Sequence, residues 1–375
     1  MRPASARILL LLLALAFFGT AAAKAQEYSS TYGPLPVFEF HSGFWINLHH
    51  TLYHEARQRL NPAPPPVPEG TTSGPKLKWK TMKEAAGLTQ AEQIAWSTAV
   101  AYYAENFAGK DLLFNNDLVL LKNQLEDFED CDDLAGTRTK SCDAGLSPDI
   151  TRVLDSAAPV YRAHLWRDQD TANRRWIARV APLVVEQGVG VSQRLADIYQ
   201  TKWPKEKIRV DVSAYANAAG AYTSLDPLRV TISSTDPRNQ GGDAFEVLFH
   251  EASHGIAEPV QQAIIRECRQ RSKAIPRDLW PALIVYTTGE VIQPLLTSPA
   301  NSSQAKAGSM EVGSDGFPAP AQAPSPDAYI PGAIREGLYH RGWNDYYQLL
   351  LRFWQPYLDS RSTFDDAIAR MVSSL

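Results

Sequence analysis

Hydrophobic positions recur with helical spacing through most of the first half of the chain. Apolar residues three and four positions apart predict five helices, over 38–60, 89–107, 116–128, 149–166 and 168–199. Thr89 and Glu92 form a Thr-x-x-Glu capping box at the start of the second helix. The proline-rich stretch 61–76 can be neither a helix nor an inner strand. We therefore predict an extended lead-in at 26–37, followed by a mainly helical region at 38–204.

The pattern changes to alternation of apolar and polar residues after the last of these helices. Residues 207–213 and 228–233 alternate with a period of two, which predicts two strands. Between them, 214–226 is rich in small residues and turn formers, and we predict no regular structure there. Asp243 and Glu246 fit the N-cap and N3 positions of a helix, which predicts that a helix begins at Asp243.

The rest of the chain predicts three more helices and one long loop. A helix is predicted over 277–296, and two further helices over 343–375. The intervening 297–332 is rich in Ser, Ala, Gly and Pro, which is more typical of a lid, a rim or a disordered insert than of a packed element. The predicted fold class is α+β, mainly α, with the helical region packed on a half at 205–375 that contains a small antiparallel sheet.

The first residues have the features of a secretory signal peptide. Arg2 and Arg7 precede an apolar run at 8–18, and a small-residue segment ends in Ala23-Lys-Ala25. A run of eleven apolar residues is too short to span a bilayer, which takes about 20. We expect cleavage after Ala25 and a secreted or periplasmic protein that has no membrane anchor after cleavage.

Composition and charge narrow the class of protein and of partner. Apolar residues make up 44% and charged residues 21% of the chain, which is typical of a globular protein. Removal of 1–25 would leave 34 basic against 41 acidic residues, a formal charge of −7 before histidine is counted. This balance argues against nucleic acid or an anionic membrane as the main partner.

Three cysteines are present, and two of them are predicted to pair. Cys131 and Cys142 flank a polar, glycine-containing segment that could close a short loop. In an exported protein this arrangement predicts a disulfide. Cys268 lies on a helical pattern and is predicted to be a buried free thiol.

The residues that carry chemistry are His250, Glu251 and His254, in the sequence His-Glu-Ala-Ser-His. On a helix, two histidines four residues apart project from one face and can bind one metal ion. The adjacent Glu251 can then reach a water molecule, whose pKa the metal lowers, and take its proton. The pattern predicts a zinc-dependent hydrolase. The alternative is a helix with two surface histidines and an unrelated glutamate.

The segment 228–296 resembles the zincin metallopeptidases, in which an edge strand that holds an extended peptide precedes the H-E-x-x-H helix. Here the strand 228–233 is followed by Phe249-His-Glu-Ala-Ser-His-Gly-Ile256. The resemblance implies a cleft between this strand and the helix, Zn²⁺ on His250 and His254, and a peptide or protein substrate. Glu251 would activate the water and then protonate the leaving amine.

A third ligand is expected, because catalytic zinc generally has three protein ligands and one open position. The metzincin extension is absent, since 255–262 contains no histidine. The gluzincin type uses a glutamate from a later helix, and Glu290 fits that role, although Gly289 replaces the Asn that many gluzincins have before it. Glu258 is the alternative third ligand. It lies four residues after His254 on the same predicted helix, where it could not easily reach the same metal ion. It is better interpreted as a surface residue or as a hydrogen-bond partner of a histidine.

Metallopeptidases of this type also use a Tyr or His that stabilises the oxyanion. Tyr339 and His340 are the candidates, with Tyr286 and Tyr329 behind them, and the alternative is that Tyr339 packs in the core. A second metal site is conceivable on the cluster His49, His50 and His54. That cluster lacks a glutamate directly after His50, which favours packing or cleft lining. His41 and His164 are predicted to be structural or surface residues.

Three functions are compatible with these residues. The first is an exported zinc metallopeptidase, and the second is a zinc hydrolase of another amide or ester, such as a cell-wall amide. The third is a non-catalytic binding protein on the same fold. Glu251 favours an enzyme, because a pseudoenzyme often loses the general base. The oligomeric state has no indicator in the sequence.

Overall fold

The structure is a computed structural model that describes residues 37–60, 81–85, 87–135, 142, 145–297 and 329–375. The predicted signal peptide and all but the last residue of the lead-in lie outside the described residues, as does the proline-rich 61–76. Of the predicted loop 297–332, only the first residue and the last four are described. No helix within the described ranges is long and apolar enough to cross a membrane.

All five predicted N-terminal helices are present, and capping side chains fix the starts of three of them. The helices are α1 (Phe44–Leu60), α2 (Gln90–Asn106), α3 (Asn116–Asp127), α4 (Pro148–Tyr161) and α5 (Arg167–Ile198). Thr89 accepts a hydrogen bond from the backbone N–H of Glu92, whose carboxylate accepts one from the N–H of Thr89, so the predicted capping box is confirmed. A π-helical turn, Arg162–Trp166, joins α4 to α5 without a break.

The prediction of a helix from residue 38 is wrong at its start. Phe38–His41 form strand β1, and α1 begins only at Phe44. The other strands are β2 (Ile208–Ser213), β3 (Ala221–Leu225) and β4 (Leu228–Ser233). β2 and β4 match the alternating segments, whereas β3 lies where no regular structure was predicted. Both faces of β3 are covered, so its apolar and polar residues do not alternate as they do in a half-buried strand.

The sheet is mixed, which corrects the prediction of an antiparallel sheet. Its order is β1-β2-β4-β3, with β1, β2 and β4 mutually parallel and β3 antiparallel to β4. β1 and β3 are therefore the two edge strands, and β4, which the resemblance placed at the edge, lies inside the sheet. The coarser expectation of a mainly α protein of the α+β class is confirmed.

One face of the sheet is apolar and packs on the C-terminal helices. Ile208, Val210, Val212, Val230 and Ile232 are buried in one hydrophobic cluster. That cluster also contains residues of α5 and of α6 (Gly241–Ser253), α7 (Glu258–Gln270), α8 (Leu279–Thr297) and α12 (Phe364–Ser373). The short helices α9 (Gly332–Arg335), α10 (Asn344–Leu349) and α11 (Gln355–Leu358) complete the C-terminal part. α5, which belongs by sequence to the helical region, thus shares a core with the C-terminal half.

The other face of the sheet is polar and is also covered. α1 and α3 lie over it, within the second hydrophobic cluster. Lys122 on α3 is buried and donates hydrogen bonds to Glu126, at 2.8 Å, and to Ser224 of β3, at 3.0 Å. Arg209 of β2 forms a bidentate pair with the buried Asp211. Charged groups can be buried here because each has a partner of opposite charge.

The predicted pairing of the cysteines is confirmed. Cys131 and Cys142 form a disulfide with their Cα atoms 6.1 Å apart. The backbone carbonyl of Cys131 accepts a hydrogen bond from the indole N–H of Trp45, so the crosslinked segment is anchored on α1. Cys268 is free and buried on α7, also as predicted.

Two buried histidines on α1 face this polar layer. His49 Nδ1 lies 2.9 Å from the hydroxyl of Tyr103 on α2. The two ring nitrogens of His50 lie 3.2 Å from Ser213 Oγ and 2.9 Å from the Tyr222 hydroxyl. Burial, helped by the positive charge of Lys122, lowers the pKa of His49 to about 3, and burial also lowers the pKa of His50. Both rings are therefore neutral in the folded protein.

The buried His49 should make the protein sensitive to acid. Its pKa rises from about 3 in the folded chain to 6.5 when it unfolds, so below pH 6.5 the unfolded chain takes up a proton that the folded chain does not. The free energy of unfolding should fall by about 1.4 kcal/mol per pH unit on this account. Between pH 7 and pH 5, the free energy of unfolding of His49→Gln should fall by about 2 kcal/mol less than that of the wild type, as measured by urea denaturation.

His340→Gln is the matched control, because His340 is exposed. This variant should keep the wild-type pH dependence. An unchanged pH dependence in His49→Gln would contradict the neutral, buried state of His49.

Candidate active site

The helix that carries the motif begins two residues earlier than predicted. α6 starts at Gly241 with Gln240 as N-cap, so Asp243 lies in the first turn and is not the cap. The Asp243 carboxylate instead pairs with both terminal nitrogens of Arg335, at 2.8 and 2.7 Å. The apolar residues Phe245, Leu248 and Phe249 bury the opposite side of α6 in the core, which fixes the direction of the motif residues.

The structure brings His250 and His254 together. His254 follows the last residue of α6, but its backbone still has helical dihedral angles of −56° and −32°, so the spacing of one turn is preserved. The ring centroids lie 5.0 Å apart with the rings nearly perpendicular, and His254 also contacts Trp280 of α8 edge to face. Burial lowers the pKa of His250 to about 3 and that of His254 to about 4. Neutral imidazole is the form that binds metal ions.

One nitrogen of this histidine pair is unsatisfied. Nδ1 of His250 is buried and has no hydrogen-bond partner within the described part of the chain. A buried polar atom without a partner is costly. The two neutral rings and this unsatisfied nitrogen are compatible with a pair of metal ligands.

Glu251 is buried next to the histidines and is held by the edge strand. The hydroxyl of Thr223 on β3 lies 2.7 Å from Oε2 of Glu251 and 2.8 Å from its backbone carbonyl oxygen. Burial raises the pKa of Glu251 to about 7, although the hydrogen bond from Thr223 lowers it. A carboxyl group that acts first as a base and then as an acid works best with a pKa near the working pH.

The predicted third ligand is not brought into this group. Within the described ranges, no three His, Cys, Asp or Glu side chains come together so that they could hold a metal ion. The side chain that hydrogen-bonds to Glu290 is Gln355, which also accepts a hydrogen bond from Tyr286. Burial raises the pKa of Glu290. Its role as a zinc ligand stays a prediction.

Glu258 does not lie on the motif helix as the sequence suggested. α6 ends at Ser253, and Glu258 is the first residue of α7, where it is exposed. Gly255 lies at the turn after α6, and a Cβ there would come within 2.6 Å of the Leu228 side chain. The absence of a side chain at Gly255 therefore lets Leu228 of β4 pack directly behind the second histidine.

A cleft of about 240 Å³ opens beside His250 and Glu251. One wall comes from β3 and the turn before α6, and the opposite wall comes from α9 and the residues after it. About half of its lining is small or apolar, and four carboxylates line it, those of Asp243, Glu246, Glu251 and Glu336, together with one guanidinium, that of Arg238. The other lining residues are Ala219, Ala221, Asn239, Val247, Val285, Gly332, Ala333 and Leu338.

The second wall is tied to α6 by a hydrogen-bond network. The Tyr329 hydroxyl lies 2.6 Å from Glu246 and 2.9 Å from Asp243, and the backbone N–H of Gly332 also donates to Glu246. Burial raises the pKa of Glu246 to about 7. Arg335 balances the charge of Asp243. The end of the segment predicted as a long loop is therefore a docked wall of the cleft.

Neither predicted oxyanion residue lies among the side chains that line the described cleft. Tyr339 is buried and stacks on Tyr347 with a centroid distance of 4.5 Å, and its hydroxyl has no partner within the described residues. His340 is exposed. Tyr286 and Tyr329 are engaged by Gln355 and by the two carboxylates of the network. The catalytic roles of Tyr339 and His340 stay predictions.

The histidines of the second cluster pack among hydroxyl groups and aromatic rings. Both ring nitrogens of His50 make hydrogen bonds to hydroxyl groups, which leaves neither free for a metal. His54 stacks on Tyr215 and contacts Gln58. The predicted structural roles of His41 and His164 also agree with their contacts, to Glu129 at 3.0 Å and Glu92 at 3.1 Å.

Three residues of the site were missed from the sequence. Glu246 lies four residues before His250, so its place on the same helix face could have been read from the spacing. Thr223 lies in a strand that was not predicted, and Glu336 reaches the cleft only through the docking of its segment. No protein-family model, curated protein or solved structure matches this chain. The function is therefore argued from these residues and their contacts.

Gly289→Ala should loosen the wall of the cleft. A Cβ at Gly289 would lie 2.8 Å from Cβ of Pro331, so α8 and the docked segment would have to separate. We expect the free energy of unfolding to fall by about 1–3 kcal/mol, as measured by urea denaturation.

Gly190→Ala is the matched control. Gly190 lies on α5, is exposed, and would place its Cβ in open space. Helix propensity alone should then raise stability by up to about 1 kcal/mol. A change of the same sign in the free energy of unfolding of both variants would contradict the packing of Pro331 against Gly289.

Proposed function

We propose that the protein is an exported zinc-dependent metallopeptidase. The observation that carries the proposal is the pairing of His250 with His254 beside a cleft that His250 and Glu251 line, with the edge strand β3 against Glu251. The two histidines are neutral and one turn apart, and the carboxylate beside them is buried and oriented. These residues would supply two metal ligands and the general base for metal-assisted amide hydrolysis.

His250 and His254 would hold the zinc ion through their imidazole nitrogens. When bound, the ion would lower the pKa of water and polarise the carbonyl group of the substrate. Glu290 is the third ligand that the resemblance implies. Glu246 and Glu336 are the other carboxylates to test, because both line the cleft with His250.

Glu251 would act as base and then as acid. Its carboxylate takes a proton from the water molecule that attacks the carbonyl carbon of the substrate. It then gives this proton to the nitrogen of the leaving amine as the C–N bond breaks. Its buried position excludes bulk water from the carboxylate, so the proton is retained for the second step.

The edge strand supports a peptide as the substrate. β3 pairs with β4 on one side, and within the described residues no strand pairs with its other side. An extended peptide can add to such an edge through backbone hydrogen bonds. The small side chains of Ala219 and Ala221 leave room for it beside the motif. The formal charge does not favour nucleic acid as a partner.

A non-catalytic binding protein is the second candidate function. It is favoured by one observation, namely that no third metal-binding side chain joins the two histidines in the described part of the chain. A groove with an open strand edge could bind a peptide without cleaving it.

Metal analysis of the purified protein tests the proposal. We expect about one zinc ion per chain in the wild type and its loss in His250→Ala and His254→Ala. His164→Ala, in the N-terminal helices, is the control that should keep its zinc. Glu290→Gln, Glu246→Gln and Glu336→Gln, measured in parallel, identify the third ligand as the variant that loses zinc.

Activity on an unstructured protein such as casein separates the candidate functions. The wild type should cleave it, and Glu251→Gln should be at least roughly 100-fold slower while it keeps its zinc. Zinc without cleavage of casein would point to another amide or ester as substrate. A wild type that binds no zinc when zinc is supplied would overturn the proposal and leave the binding protein.

A further inference from the structure

We propose that Thr223 is a positioning residue that fixes the orientation of the Glu251 carboxyl group. This inference rests on the proposed function, in which Glu251 is the general base. It concerns a residue of the edge strand that the motif does not include. The contact is direct, since the Thr223 hydroxyl lies 2.7 Å from Oε2 of Glu251.

The hydroxyl of Thr223 has two acceptors in reach but only one proton. The second acceptor is the backbone carbonyl oxygen of Glu251, at 2.8 Å. Because the hydroxyl reaches both a side-chain oxygen and the backbone oxygen of the same residue, it holds the Glu251 side chain in one position relative to its own backbone.

This arrangement has an energetic consequence. Thr223 and Glu251 are both buried, and a buried polar group that lacks a partner costs free energy. A methyl group in place of the hydroxyl could make no hydrogen bond to Glu251, and it would leave the carboxyl group free to rotate.

The opposite face of the edge strand fixes the position of Thr223. The neighbouring Tyr222 contacts His50 at 2.9 Å, and Ser224 accepts a hydrogen bond from the buried Lys122 at 3.0 Å. Both contacts lie on the face that is turned away from Glu251. β3 is thus held from behind by the N-terminal helices, and the reach of the Thr223 hydroxyl to Glu251 is set by the fold.

The test compares Thr223→Val, which removes the hydroxyl at nearly constant shape, with Thr223→Ser, which keeps it. For a peptide substrate, Thr223→Val should lower kcat by roughly 10- to 100-fold, the effect of one hydrogen bond to a charged group, with far less change in KM. Thr223→Ser should recover most of kcat. Zinc content should stay close to wild type in both variants, while the melting temperature of Thr223→Val should fall by roughly a few degrees because the buried Glu251 loses a hydrogen bond.

Thr231→Val is the matched control, a buried threonine on β4 that pairs with Tyr222 and so faces the other side of the sheet. Its kcat should remain close to that of the wild type. A crystal structure of metal-free Thr223→Val gives a readout apart from activity, and in it the carboxylate of Glu251 should leave its wild-type rotamer.

Each outcome of this experiment decides a different point. A wild-type kcat in Thr223→Val, or an equal loss in Thr223→Ser, would overturn the role of the hydroxyl. A wild-type Glu251 rotamer in the Thr223→Val crystal would also overturn it. If the wild type binds zinc and cleaves peptide, these results would leave the proposed function intact. A wild type without zinc or cleavage would instead refute the proposed function on which the inference rests.

Discussion

The polar face of the sheet is the constraint on which the rest of the structure depends. Strands β2 and β4 alternate as half-exposed strands do, yet α1 and α3 cover the polar side. The charges of Lys122, Glu126 and Asp211 are therefore buried, and a buried ion costs several kcal/mol unless it is paired. Hydrogen bonds and ion pairs between the helices and the strands meet this requirement. The N-terminal helices are held in one position on the sheet because only that position satisfies these groups.

The same contacts connect the N-terminal helices to the candidate active site. β3 is short and pairs with a single strand, so backbone pairing alone would hold it weakly. Tyr222 and Ser224 tie one face of β3 to α1 and α3, and Thr223 meets Glu251 on the other face. The helical region thus supplies no residue of the motif but determines where the edge strand lies. A network that satisfies buried polar groups also orients the proposed general base.

The parts of the fold that could be predicted are those that local sequence determines. The capping box at Thr89, the strands β2 and β4 and the Cys131–Cys142 pair each depend on a few neighbouring residues. β1 was missed because its partner β2 is distant in sequence, and β3 was missed because burial on both faces removes the alternation that marks a strand. The histidine pair was predictable because both residues lie one turn apart on α6. Thr223 and Glu336 were not, since each reaches the site only through tertiary packing.

The position of α8 explains why the third ligand is harder to assign than the first two. α8 runs antiparallel to α6, since Trp280 contacts His254, Val285 lines the cleft with His250, and Gly289 lies opposite Glu246. Glu290 lies about 100° around the helix from Gly289, so it is not on the face of α8 that contacts α6. A glutamate on a neighbouring helix can complete a metal site only if the rotation of that helix is correct, and sequence spacing carries no information on rotation. Besides Glu251 and Asp243, which pairs with Arg335, the carboxylates in the cleft are Glu246, from α6 itself, and Glu336, from the docked wall. The proposed metal chemistry therefore depends on how α8 and the 329–338 segment pack against α6, and Gly289, which lets Pro331 approach α8 closely, lies where the two meet.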